Sequence, residues 1–540
     1  MLAIAAFLLT AHMAVAMWGS SRSGSATFDE PAHIAAAVGV TYDHDLSWNV
    51  EHPPLVKLLA GTALRVGGIR ASPPPIDEPE GQYVWGQGIL YQSGNDHRHV
   101  LSVARSPLVL LTCVFALVTF GFATDLFGGV AGLVSLALFT LSPDLLGHGP
   151  LVTTDVALAG FVTLTLWMLW RAKHRHRGWL AAAAIAFGLA CVTKYTALVL
   201  SPIVGALFIA ASMARDAGTK PRLRPLAMAC AWAVSASMVA LAVVWGTYLA
   251  VDPRLEYRFD EPALARDATG AMAQLTELAP LPEPYRIGLR YVIGGEQLDR
   301  PAFLNGRFYR GGRVDFYPLV LSMKAPVGTI FVLGVALVAL AKSRRRDVLV
   351  YAVAPCAYTV LVAISSHLNI GVRHVMPAIV LLLVLSGAAV TGRSRLRTGL
   401  ATLGLLTTAA SSWAAYPRYL SYVNELWGGS DNGYRLLADS SIDWGQGLPD
   451  VAHYLTEHGA NDAGAADLSY FGQAFPTAYG VFAADASRLP DLRDADGLVV
   501  VSATLYNLDR ERYAALGPPS AVVGDVYLVF DRRSHREPER

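Results

Sequence analysis

The sequence predicts a polytopic α-helical membrane protein that ends in a small α/β domain. Three observations predict it. Of its 540 residues, 53% are hydrophobic and only 16% are charged, whereas a soluble chain carries about 25% charged residues. Mean hydropathy is +0.39. The apolar residues fall in runs near the ~20 that a bilayer crossing needs. Candidate spans cover 1–20, 103–123, 126–145, 149–170, 178–193, 195–213, 226–250, 319–341, 347–366, 371–391 and 397–414, about eleven in all. A membrane domain over 1–414 and a tail domain over 415–540 follow.

The first run, Met1 to Trp18, ends in Ala14-Val15-Ala16, which looks like a signal-peptide cleavage site. It lacks a basic leading region, so it is expected to stay as a first span, with room for a basic stub upstream. Cys113, Cys191, Cys230 and Cys356 all lie in apolar runs without a C-x-x-C pair. Buried packing is expected for each, rather than disulfides or a thiolate metal site. A net charge of +1 with no long basic stripe argues against a nucleic-acid partner.

Basic clusters at Arg171 to Arg177, Lys220 to Arg224, Lys342 to Arg346 and Arg393 to Arg397 are expected on the cytoplasmic side. With eleven spans they share one side. Loops 21–102 and 251–318 and the tail then lie outside, in the periplasm or its equivalent, whereas one span fewer or more would leave the tail in the cytoplasm. In the tail, Ala466 to Phe471, Gly497 to Ser502 and Ala521 to Phe530 read as strands. Leu448 to His458 reads as a helix capped by Gly459, and Ser72 to Pro79 reads as a loop.

The chemistry-bearing residues gather in the outer segments. Asp29-Glu30-Pro31 predicts a helix start, with His33 one turn on. Helix capping is the plain alternative for both acids. Glu51-His52-Pro53-Pro54-Leu55-Val56-Lys57 predicts an extended entry followed by a helix. Asp155, after Gly149-Pro150-Leu151-Val152-Thr153-Thr154 and near His148, is either an N-cap or a functional acid. Lys194 at the outer face either meets a phosphate or snorkels. Arg313 closes a cationic loop from Asn305 that leads to Tyr317 and Lys324, and it could simply be solvated. Arg373 and His374 open a later span, where contact with lipid headgroups could also explain the arginine. Carboxylates, cations and bilayer access fit glycosyl transfer from a polyprenyl phosphate. Charges in outer loops fit a transporter less well, because a transporter binds near the midplane. Eleven spans exceed what an anchor for a scaffolding tail needs.

In these motifs the chain resembles the phospholipid-carrier-dependent glycosyltransferases of the protein O-mannosyltransferase and aminoarabinose transferase superfamily. The resemblance rests on Asp29-Glu30, His52-Pro53-Pro54-Leu55-Val56-Lys57, Thr154-Asp155, Lys194, Tyr317 to Pro326 and Gly371-Val372-Arg373-His374. Tyr419 to Glu425 and Asp443-Trp444-Gly445-Gln446 resemble a bacterial branch of it. It implies a GT-C membrane fold and an inverting transfer of a mannose-like or related sugar to a hydroxyl on a protein, lipid or glycan acceptor. Asp29, with Glu30, would be catalytic, Asp29 as general base or acceptor-orienting carboxylate. Lys57, Asp155, Lys194, Arg313, Lys324 and Arg373 would face the donor phosphate. His33, Tyr317 and His374 would stand on the acceptor side. Glu51 would help hold a divalent metal, the one cofactor implied, and His52 and His33 could supply imidazole ligands beside it. Aminoarabinose transferases carry a lysine where this chain has His52, which is a departure at a phosphate contact.

Overall fold

The computed structural model describes residues 1–76, 78, 81–213, 223–343, 345–392, 394–462 and 464–533. Among them, seven helices are long and apolar enough to cross a membrane: Leu2–Ser23, His97–Phe127, Asp155–His174, Tyr195–Met213, Ala227–Val251, Arg346–Ser365 and Val372–Val390. An eighth is the pair Phe316–Lys324 and Val327–Ser343, bent by 112°. The break falls at Ala325-Pro326, where proline removes a helical donor and forces the preceding residue out of the α region. The chain is a multi-pass membrane protein.

The three other predicted spans are helical but fall short. Gly129–Thr140 and Trp179–Cys191 are apolar helices of 10–17 residues. Arg395–Ala415 has 21 residues, but its arginines, serines and threonines keep it out of the apolar set. Eleven helical segments therefore exist, but not eleven full-length spans. The expected burial of Cys230 is also corrected: it is exposed, whereas Cys113, Cys191 and Cys356 are buried, and all four are free thiols. Cys230 lies on the Ala227–Val251 helix, whose span is only 11% buried, so that helix turns most of its apolar surface outward.

The bundle has two chemically distinct ends. In Asp155–His174, Asp155 starts the helix and Arg171, Lys173 and His174 end it, about 25 Å apart at 1.5 Å per residue. At the basic end, Asp125 accepts from Arg171 at 2.6 Å and pairs with Arg175 at 3.5 Å. Arg345 donates to the Leu126 carbonyl beside them. Val372–Val390 carries Arg373 in its first turn, and the Thr391 carbonyl at its far end accepts from Arg397. The described parts of three basic clusters thus stand opposite Asp155 and Arg373. Lys220 to Arg222, Arg344 and Arg393 lie outside the described residues, as do Asp77 and Pro79 of the predicted loop.

Three short helices, Glu30–Val38, Leu55–Val66 and Gln82–Gln87, close the other end. They pack at backbone distance: a Cβ on Gly61 would stand 2.2 Å from the Ala37 carbonyl oxygen. The tail carries a five-stranded mixed sheet in the order Ala484–Asp485, Ala466–Ser469, Leu498–Ser502, Tyr527–Asp531, Ala521–Val523. The single strand expected over Ala521 to Phe530 is a hairpin, because Gly524 and Asp525 turn the chain at φ +56° and +67°. The helix Leu448–Glu457 and its Gly459 (φ +61°) stand as expected. Residues between Ala415 and the sheet do not hang free. Phe28 N–H donates to the Trp444 carbonyl at 2.8 Å and Asn305 N–H to the Leu436 carbonyl at 2.7 Å.

Candidate active site

The short helices and the starts of several spans surround a cavity of about 300 Å³. Asp29, His33, Glu51, His52, Lys194, Arg373 and His374 line it. All seven were candidates from the sequence, drawn from four separate segments.

Asp29 occupies the N-cap position of Glu30–Val38 but makes no capping bond with its side chain. Its Oδ2 accepts from Arg373 Nη1 at 2.8 Å instead, so the capping alternative fails. Asp155 likewise caps nothing with its side chain. Its Oδ1 accepts from Lys194 Nζ at 2.5 Å, and both groups are buried, which rules out snorkelling for Lys194. Arg373 is largely buried and pairs with Asp29 rather than spreading among headgroups.

His33 and His52 stack with ring centroids 4.9 Å apart. Burial pushes His33 down to about 4, against the pull of Asp29. Burial also holds His52 well below the ordinary imidazole value. Both rings are therefore neutral near pH 7 and act as hydrogen-bonding groups, not cations. Burial pushes the Glu51 carboxyl up, opposed by its own backbone amide and by Lys57. Gln82 Nε2 approaches Glu51 only to 3.5 Å.

Six other candidates lie off the cavity, each with a physical reason. Glu30 faces the bundle interior, where Arg105 Nε and Nη2 donate to it at 2.8 and 2.5 Å. Thr27 and Val152 amides supply further bonds, so no lone pair is left for a substrate. Burial would raise the Glu30 carboxyl, but Arg105 and the Thr27 and Val152 amides together outweigh burial and hold it below its ordinary value. Lys57 Nζ donates to the carbonyls of Trp48 (2.9 Å) and Asn49 (2.6 Å), which fixes the turn that presents Glu51. Asp155 stands behind Lys194. Tyr317 donates to the Leu368 carbonyl at 2.5 Å and steadies the approach to Arg373. Lys324 is spent on the carbonyls of Leu420 (2.8 Å) and Ser441 (2.7 Å) and on Asp144 (3.3 Å). Arg313 pairs locally with Asp315, leaving the solvated-loop alternative to stand. Arg313→Ala should change activity by no more than about fivefold, since surface ion pairs contribute ~0–1 kcal/mol; a rate assay checks this.

The sequence missed Arg300. It lines the cavity, makes no ion pair among the described residues, and has a buried Nε without a partner. Nothing in Leu298-Asp299-Arg300-Pro301 sets it apart from other loop charges. Its backbone is held at the start of a two-stranded hairpin, where Gly311 N–H donates to its carbonyl at 3.0 Å. Glu296 also faces the cavity, from the helix Glu283–Glu296.

No group of three His, Cys, Asp or Glu side chains among the described residues could hold a metal ion. Glu51 and His52 both reach the cavity, where Asp29 and His33 also stand, but these side chains do not form a group placed to hold an ion.

Buried polar atoms usually have a partner, because desolvating one without a bond is costly. Here His33 Nδ1, Asn49 Oδ1, His52 Nδ1, Gln82 Oε1, Arg300 Nε, Arg373 Nε and His374 Nε2 have none, and every one belongs to a residue lining this cavity. Fold and site together define a multi-pass membrane protein with a polar, cation-bearing cavity at one end of its helical bundle.

Residues 98–245 match the family model of dolichyl-phosphate-mannose-protein mannosyltransferases. The resemblance seen in the motifs thus extends to the sequence of the second to seventh predicted spans. No curated protein matches the chain. Among solved structures, it is similar to ArnT from Cupriavidus metallidurans bound to undecaprenyl phosphate, at 14% identity over 97% of each chain, with TM-score 0.48. It is also similar to the Archaeoglobus fulgidus oligosaccharyltransferase in the apo form, at 12% identity over 95% of this chain and 70% of that chain, with TM-score 0.49.

Proposed function

We propose that this protein is an inverting glycosyltransferase that moves a mannose-like or related sugar from a polyprenyl-phosphate carrier to a hydroxyl acceptor, on the outer face of a bacterial inner membrane. The observation that carries the reading is the set of unpartnered buried polar atoms around a cavity holding Asp29, Lys194, Arg300 and Arg373. The family match over 98–245 supports it.

In this reading the acceptor hydroxyl gives its proton to Asp29 as its oxygen attacks the anomeric carbon. The bond from that carbon to the phosphate oxygen breaks, and the carrier phosphate leaves with the electron pair. Arg373 keeps Nη1 on Asp29 and offers its free Nε to the phosphate. Arg300 and Lys194 add positive charge, so developing negative charge is met by fixed cations. Neutral His33, together with His374, hydrogen-bonds the acceptor. Glu51 shapes the cavity wall, and no step runs through a metal. Direct attack on one face of the sugar inverts the anomeric centre. A transporter is not favoured, because the cavity's charges stand at one end of the bundle and not at its middle.

Membranes with and without the protein, offered radiolabelled polyprenyl-phosphate mannose, glucose and aminoarabinose, test the reading. Label should enter an acceptor only where the protein is present and should be indifferent to chelator. No transfer from any donor by inserted, folded protein would overturn it.

A further inference from the structure

The run Asp443-Trp444-Gly445-Gln446 has no part in the reaction above, yet it is built against the groups that have one. The Trp444 ring is buried, and the Arg373 guanidinium lies over it, 4.3 Å from the ring centroid. The Trp444 carbonyl accepts from the amide of Phe28, the neighbour of Asp29, at 2.8 Å. One residue of the tail therefore touches both sides of the Asp29–Arg373 pair, by its ring on one side and by its backbone on the other.

The rest of the run makes Trp444 rigid. Asp443 Oδ2 accepts from the Thr504 amide at 2.9 Å, which ties the run to the end of the strand Leu498–Ser502. Gly445 sits at φ +85°, and a Cβ there would stand 2.7 Å from the Phe471 carbonyl oxygen, so the turn requires glycine. Gln446 accepts from the Trp444 amide at 2.7 Å and donates to the Ile442 carbonyl at 2.7 Å. Ser25, in the segment leading to Asp29, donates to the carbonyls of Gly445 and Gln446 at 2.7 and 2.9 Å. Each member of the run thus either holds the loop in shape or joins it to the segment carrying Asp29.

We propose that Trp444 is a positioning residue that holds Arg373 on Asp29, making the C-terminal segment part of the active centre. The role in catalysis rests on the transferase reading; the contact itself does not. The ring supplies a flat, water-excluding face whose negative quadrupole favours a guanidinium lying on it. It fixes the plane of Arg373, and with it the directions of Nη1 toward Asp29 and of Nε toward the cavity.

The test is a double-mutant cycle with Trp444→Leu and Arg373→Met in the full-length protein. It is read by kcat and KM for transfer and by the unfolding midpoint in detergent. Trp444→Leu should lower kcat about 10²-fold, as a misplaced reacting group does. Trp444→Phe, which keeps a ring, should stay within about threefold of wild type. Because the tryptophan acts through the arginine, the double variant should fall no more than about twofold below Arg373→Met alone. The unfolding midpoints should be non-additive in the same sense. Additive effects in both readouts, or Trp444→Leu with wild-type kcat, would overturn the proposal. If wild type transfers no sugar, the transferase reading falls, and the midpoint cycle still decides whether Trp444 holds Arg373.

Discussion

Asp29→Asn is expected to lower transfer by about 10²- to 10⁴-fold, the range a general base contributes. The amide keeps the size of the side chain and can still accept from Arg373, so the cavity should survive. What it loses is the capacity to take the acceptor's proton. The measurement is initial rate against pH for wild type and variant, alongside binding of a polyprenyl phosphate. Binding near the wild-type level with the rate collapsed is the expected pattern. Full retained activity would remove Asp29 from the reaction.

Glu30→Gln, one residue along, is expected to act in a different way. It leaves the Arg105 guanidinium buried without a counter-charge, and breaking a buried pair from one side costs about 3–5 kcal/mol. The unfolding midpoint should fall sharply, and transfer should be lost only in proportion to folded protein. Replacing both partners, as Glu30→Met with Arg105→Met, should be less harmful than either alone, because no isolated charge is left. The pH dependence has a definite sign. The Glu30 carboxyl is held below its ordinary value in the folded protein. The pair therefore stabilises the fold above the ordinary carboxylate range, and that stability is lost as pH falls through the depressed value. Wild type should lose stability on acidification more steeply than Glu30→Gln. Equal slopes would show that Glu30 is not the titrating group.

These two neighbours show how far the sequence could be read. Asp29-Glu30-Pro31 announces a helix start and two acids near a membrane, but adjacent residues on a helix point about 100° apart. Here only one of the two faces the cavity. Which one does depends on Arg105 and Arg373, which lie 75 and 344 positions away in the chain from Glu30 and Asp29. The lysines repeat the point. Lys57 and Lys194 both sit among motif residues, yet one is consumed by two carbonyls and the other faces the cavity. Local pattern marks a charge near a membrane as expensive and hence purposeful. It does not say whether the purpose is to bind a ligand or to hold a turn.

The sequence by itself determined the multi-pass helical class, the order of the helices, the α/β tail and seven of the residues that line the cavity. Those features follow from hydrophobic run length, proline and glycine placement, and charge next to apolar runs, all of which are local. The tertiary structure alone decided the partners: Arg105 for Glu30, Asp144 for Lys324, Trp444 for Arg373, and the place of Arg300 in the cavity wall. It also decided that two of the apolar runs form short helices and that a third bends by 112°. The reason is that a buried charge or polar group must find its partner in space, and the chain brings such partners together from segments that carry no local trace of one another.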